Sequence, residues 1–214
     1  MDRRAPVLVP LLAGFLLAMP YVAHAVDAAA GKDRLGVRAG GVTTFDGLQD
    51  AYGGGWSLTL FFTEKVTHRF LVDIRLGALY LGDLKFSELD DELTHTPGIQ
   101  GAMRLLYFSV GPMVGVPLGG PWSLYGSAGL GVYSVSMQFD TGISAYNFSD
   151  QTFGFNGGLG LSRRISANWC IEANASAHYF LTDQDITDLF FAFTGGADSP
   201  VLLDIALGVT LDLR

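Results

Sequence analysis

Cysteine is nearly absent from this chain: Cys170 is the single thiol in 214 residues. An intramolecular disulfide is therefore excluded, and an exported chain of this composition must be stable through its architecture alone. Positive charge is also scarce, with 13 Lys and Arg against 21 Asp and Glu. A net charge of −8 excludes the basic footprint of a nucleic-acid binder. Neither a phosphate-binding loop nor a zinc-type cluster of Cys and His occurs, so no cofactor and no metal are expected. Beyond residue 25 no apolar run approaches the roughly 20 residues that a membrane helix needs. Yet 49% of the residues are hydrophobic, so the apolar content must be spread in another pattern.

The first 25 residues account for export. Arg3 and Arg4 precede a short apolar stretch from Val7 to Met19, which is interrupted by Pro10, and Ala23-His24-Ala25 follows. A basic segment, a short apolar core and a small-x-small site read as a cleaved secretory signal peptide over 1–25. No cysteine follows that site to carry a lipid anchor. Residues 26–214 are then expected to form one domain.

The spread pattern is period two. Val201, Leu203, Ile205, Leu207, Val209, Leu211 and Leu213 share one strand face, opposite Asp204, Ala206, Gly208, Thr210 and Asp212. Leu202 breaks the alternation on the polar face. Strand 169–181 repeats it, with Trp169, Ile171, Ala173 and Tyr179 against Glu172, Asn174, Ser176 and His178. Similar alternation marks strands over 34–45, 56–65, 69–82, 122–138 and 151–164. An eighth, 99–118, is apolar on both faces and holds Pro112 and Pro117, so its register is not fixed by periodicity. Connectors alternate: short near 66–68, 119–121 and 166–168, long over 46–55, 83–98, 140–151 and 182–200. Keeping every long loop at one end is the layout of an outer-membrane β-barrel, with short turns at the periplasmic end and long loops outside.

Aromatic residues support that orientation. On the apolar faces Phe70, Trp122 and Trp169 lie beside short turns, and Phe45, Trp56, Tyr80, Phe153 and Tyr179 lie toward long loops. Two aromatic girdles around an aliphatic band are what membrane interfaces favour. A soluble ligand-binding barrel would invert the polarity, and a β-sandwich would need no girdles.

Charge is segregated too. The long connectors hold thirteen carboxylates, from Asp46 to Asp198, against one base, Lys85. Bases gather at the other end, among them Arg34, Arg163 and Arg164. Weak Mg²⁺ or Ca²⁺ association is one reading of the loop acids, but a solvated acidic surface is the reading adopted. The stretch Leu189–Phe193 is expected to pack among the loops. Arg38, Lys65, Asp73, Arg75, Arg104, Glu172, His178, Asp204 and Asp212 are assigned to the inward faces. An eight-stranded lumen is just wide enough to be filled by side chains. Buried charges at that density must pair, so a salt-bridged plug is expected rather than a conducting path.

With this layout, and the Gly-rich strand from Tyr125 to Tyr133, the mature chain resembles the small eight-stranded outer-membrane barrels of the OmpA-like and OmpX-like group. The resemblance implies an all-β, antiparallel, up-and-down transmembrane barrel in the cell outer membrane. It implies outer-membrane lipid, lipopolysaccharide and the assembly machinery as partners, a monomer, and a structural or surface-interaction role. The chain departs from many such barrels in ending Leu211-Asp212-Leu213-Arg214, without a terminal aromatic residue. Barrels resembling the OmpW group pass small hydrophobic molecules through their walls, and a small pore or lateral transporter of that kind is the alternative. Some relatives modify lipid A with a His, a Ser and a carboxylate. Here His178 has Ser176 and Glu172 on its own strand face, but that face is inward, so catalysis is not expected.

Overall fold

The structure, a computed structural model, describes residues 33–45, 54–66, 71–82, 100–140, 145–181 and 201–213. The segment 1–25 read as a signal peptide, Phe70, most of the acidic connectors and Leu189–Phe193 lie outside the described residues. Eight strands form a closed antiparallel barrel in chain order. They are β1 (Arg34–Phe45), β2 (Gly55–Lys65), β3 (Leu71–Leu81), β4 (Gln100–Gly119), β5 (Trp122–Asp140), β6 (Ala145–Arg164), β7 (Trp169–Phe180) and β8 (Val201–Asp212). Closure removes every sheet edge within the wall and satisfies its backbone groups, which a lipid environment demands.

The wall is inside out compared with a soluble barrel. Leu58, Leu60, Leu76, Leu106, Leu130, Leu159 and Ile205 stand exposed on the outer face, and Leu207 is 72% accessible. Arg38, Asp73, Arg75, Glu172, His178 and Asp204 are buried inside. Polarity of this sense excludes both the soluble ligand barrel and the sandwich.

Register fixes the shape. From Leu35 the pairing runs through Phe62, Ile74, Val110, Leu130, Phe155, Tyr179 and Val201, and re-enters β1 at Phe45, ten residues further on. That stagger tilts the strands by about 35–45°. Trp169 and Tyr179 stand ten residues apart on β7. At roughly 3.3 Å per residue and this tilt, the two belts are separated by about 25 Å, the height of the lipid band.

Two elements differ from the periodicity reading. The connector placed at 140–151 is mostly strand: β5 and β6 stay paired out to Asp140 and Ala145. Above the membrane both faces of a hairpin meet water, so period two fades while pairing continues. The open register of β4 is also resolved. Tyr80 pairs with Arg104, and Met103, Leu105, Tyr107 and Ser109 point inward. The β4–β5 ladder skips Gly111 and Pro112 without changing register, and shifts only between Pro117 and Gly119. Gly119 and Gly120 then turn the chain at φ 102° and 58°, a left-handed backbone that suits glycine.

Inward aromatic rings are seated on glycines of the neighbouring strand. Phe61 faces its register partner Gly36, Tyr107 faces Gly77, and Tyr125 faces Gly160. A Cβ at any of the three glycines would lie within 2.5 Å of the opposing ring. Room for a ring thus accounts for these three glycines of the narrow lumen.

Candidate functional site

The lumen is built in layers. At the turn end Asp212 is bracketed by Arg34 Nε at 3.1 Å and Arg164 Nη2 at 3.2 Å. These residues tie β8 to β1 and β6 at the barrel mouth.

Above lies a cross-linked polar layer. Arg38 Nη2 donates to Glu172 Oε2 at 3.0 Å, and its guanidinium lies 3.8 Å from the centre of the Phe61 ring. Glu172 also accepts from the Tyr125 and Thr210 hydroxyls. Arg75 Nε donates to Asp73 Oδ2 at 2.6 Å, Nη1 to Asn156 Oδ1 at 3.2 Å, and Nη2 to Ser127 Oγ. Thr63 closes on Asp73 at 3.3 Å. Each buried ion thus has a counter-ion and further hydrogen bonds, which offset the cost of desolvating it. Asp204 is different. Ser57 Oγ donates to it at 2.6 Å, and among the described residues it makes no ion pair.

Toward the loop end the filling turns apolar. Leu79, Leu81, Met103, Leu105, Met137, Phe180 and Leu202 are fully buried, with Val42, Tyr107, Tyr133 and Val135 among them. Periodicity had shown Leu202 only as an exception; here it is part of a second layer. His178 sits at the junction. Its Nδ1 lies 3.2 Å from the Tyr133 hydroxyl and its ring 4.8 Å from that of Tyr107, while Nε2 has no partner among the described residues.

Three expected lumen charges need comment. Arg104 is a correction: it stands exposed on the outer wall, 5.8 Å from the centre of the Tyr80 ring, because its register partner Tyr80 fixes even-numbered β4 residues outward. Lys65 falls at the last inward position of β2 but is only half-buried. Its backbone N–H donates to Asp33 Oδ1, and its side chain joins no ion pair among the described residues. Asp204 is inward, as expected, but hydrogen-bonded rather than ion-paired.

The aromatic residues fall largely where the faces placed them. Trp56, Phe153, Trp122 and Trp169 are exposed outside, Phe153 at 71%. Tyr80 stacks on Trp56, centroids 5.7 Å apart, and Tyr179 is half-buried. Arg163 lies over the Trp122 ring at the turn end. Phe45 ends β1 opposite Val201, but its side chain lies outside the described residues.

The lumen does not assemble a Ser–His–carboxylate set. Ser176 donates to Asn174, Glu172 is held by Arg38, Tyr125 and Thr210, and the imidazole faces Tyr133. Among the described residues no three His, Cys, Asp or Glu side chains converge on a metal position. The loop carboxylates considered for cation binding lie almost wholly outside the described residues.

An inverted wall, a filled lumen and two aromatic belts describe a barrel that lives in lipid, and comparison with known proteins agrees. No curated protein sequence matches this chain. Among solved structures, a major outer membrane protein from Thermus thermophilus aligns with a TM-score of 0.58 at 15% identity, covering 86% of this chain and 100% of that one. Neisserial surface protein A aligns at 0.55 and 13% identity, covering 85% and 97%. Ail, the attachment invasion locus protein of Yersinia pestis, aligns at 0.50 and 15%, covering 86% and 99%. At such identities these similarities speak for the fold. The outer membrane protein beta-barrel domain family matches residues 11–200, and the chain belongs to that family and resides in the outer membrane.

Proposed function

We propose that the protein is a non-conducting barrel that presents an interaction surface outside the cell. One observation carries this reading: among the described residues the β5–β6 hairpin outruns β7. Among the described residues β7 pairs with β6 up to Phe180 opposite Gly154, with Leu181 N–H donating to the Phe153 carbonyl at 2.8 Å and the Thr152 hydroxyl donating to the Leu181 carbonyl beyond it. β5 and β6 stay paired beyond that to Asp140 and Ala145. Along 145–151 no strand pairs with the outer edge of β6 among the described residues. A strand whose outer edge is unpaired among the described residues is a template on which an extended segment of another protein can add by backbone hydrogen bonds. The layered lumen supports the non-conducting half, since neither a closely packed apolar layer nor a paired ion network offers ions a path.

The test uses register. Met137 and Phe148 are direct partners, so replacing 138–147 with an Asn-Gly turn cuts the hairpin back while keeping Met137 in the lumen. Cells displaying the intact protein should adhere to protein-coated surfaces and to each other more than cells displaying the shortened form. Equal adhesion by the two would end this reading, as would large stable conductance of the purified barrel in planar bilayers. A second reading, passage of small apolar molecules, draws on the apolar layer at the loop end of the lumen. It requires uptake of such a solute to depend on that layer.

A further inference from the structure

One row on the outer wall has chemistry that a lipid-facing band does not require. Register aligns Trp56 with Tyr80, Tyr80 with Arg104, Arg104 with Ser136, and Ser136 with Ser149. All five occupy outward positions on five successive strands. The first two rings are stacked at an interplanar angle of 19°, the Arg104 guanidinium reaches over the second ring, and Ser136 Oγ donates to Ser149 Oγ at 3.3 Å. Gly82 leaves only 3.2 Å between a would-be Cβ and the Tyr80 ring, so a larger residue there would crowd the ring.

The row is not level. Because the pairing path climbs from Leu35 to Phe45 in one circuit, each step from β2 to β6 rises toward the loop end. Trp56 and Tyr80 therefore lie in the aromatic belt, Arg104 just above it, and the serines higher still. Arg104 is the one charged side chain facing outward on the loop-end half of the wall among the described residues, and it makes no ion pair there. An outward arginine is tolerated at the membrane interface but is costly deeper in the bilayer. A cation at that height, without a counter-ion among the described residues, faces the anionic headgroups of the outer leaflet.

We propose that this row binds the phosphorylated saccharide headgroup of an outer-leaflet glycolipid. Arg104 holds a phosphate, for which a guanidinium fork is suited. Trp56 and Tyr80 cover the apolar face of the adjoining sugar and the first acyl carbons, as amphipathic rings do at an interface. Ser136 and Ser149 hydrogen-bond sugar hydroxyls further from the membrane. A phospholipid phosphate would use the arginine and leave the serines idle, so the length of the row favours a saccharide. The upper end of the site, Ser136 and Ser149, lies on the β5–β6 hairpin, but the proposal needs no strand addition along the hairpin edge.

The experiment takes the full-length barrel in nanodiscs of neutral phospholipid, doped with phosphorylated lipid A, dephosphorylated lipid A or phosphatidylglycerol, and reads retained lipid by native mass spectrometry. The intact protein should retain phosphorylated lipid A in preference to both others. R104Q should lower that retention by about tenfold, the size of one charge-assisted hydrogen-bonded contact, and R104K should recover part of it. The double variant S136A/S149A, which leaves the membrane wall untouched, should lose the preference over phosphatidylglycerol by several-fold. Heat-modifiable gel mobility verifies that each variant is folded. Retention unchanged in R104Q, or equal retention of phosphatidylglycerol by the intact protein, would overturn the proposal.

Discussion

The lumen has two fillings, and they are held by different means. Below, Arg38, Glu172, Asp73 and Arg75 are locked by ion pairs and hydroxyls from several strands. Above, Leu79, Leu105, Met137, Phe180 and Leu202 fill the same cross-section by volume alone. The polar layer specifies: each group has a counterpart on another strand, so a slipped register leaves a charge stranded. The apolar layer seals, because packed hydrocarbon side chains offer an ion little to replace its water. Removing a partner should therefore hurt most below, and removing volume should open the barrel above.

The largest effect is expected below. Glu172→Ala strands Arg38 and should destabilise the folded barrel by about 3–5 kcal/mol, whereas replacing both, as Arg38→Met with Glu172→Leu, should cost much less. Urea unfolding in lipid vesicles would measure both, and an equal loss in single and double variants would break the contrast. Next comes Leu105→Ala in the upper layer, with a cost of about 3 kcal/mol from lost burial and cavity. Here the sharper reading is electrical. This variant should raise ion leakage in planar bilayers, and Glu172→Ala should not if the apolar layer is the seal. The smallest is Ser57→Ala, which removes the hydroxyl that Asp204 accepts from. It should cost about 1–3 kcal/mol by the same unfolding assay, as a buried carboxylate loses a donor.

The outer wall was legible in the sequence because lipid leaves it no choice. Every second residue of β7 and β8 must be apolar, so Trp169 to Tyr179 and Val201 to Leu211 announce their faces unaided. The lumen was only half legible. Charges opposite an apolar face could be read as inward, and Arg38, Asp73, Arg75, Glu172 and His178 are. Which charge pairs with which depends on stagger around the barrel, and no single strand encodes that. The apolar plug was hidden for a related reason. Leu79, Leu105 and Leu202 lie on inward faces, where a hydrophobic residue reads as noise in the alternation. Arg104 was misplaced because β4 is apolar on both sides and offers no parity; only its pairing with Tyr80 decides. The hairpin beyond Gln151 was lost where the membrane stops imposing a period. The paired glycines give a usable clue for such chains, since Gly77 opposite Tyr107 and Gly160 opposite Tyr125 are readable once a register is supposed.

The seam between first and last strands has one more consequence. β1 and β8 pair along the full length of β1, and Leu213 N–H donates to the Asp33 carbonyl at 2.7 Å. The barrel's first and last strands are thus sewn together at the turn-side rim. The wall has no privileged starting point. Joining those two strands through a tight turn and opening the chain instead at a short connector such as the β4–β5 turn should yield a circular permutant with the same neighbours around the ring.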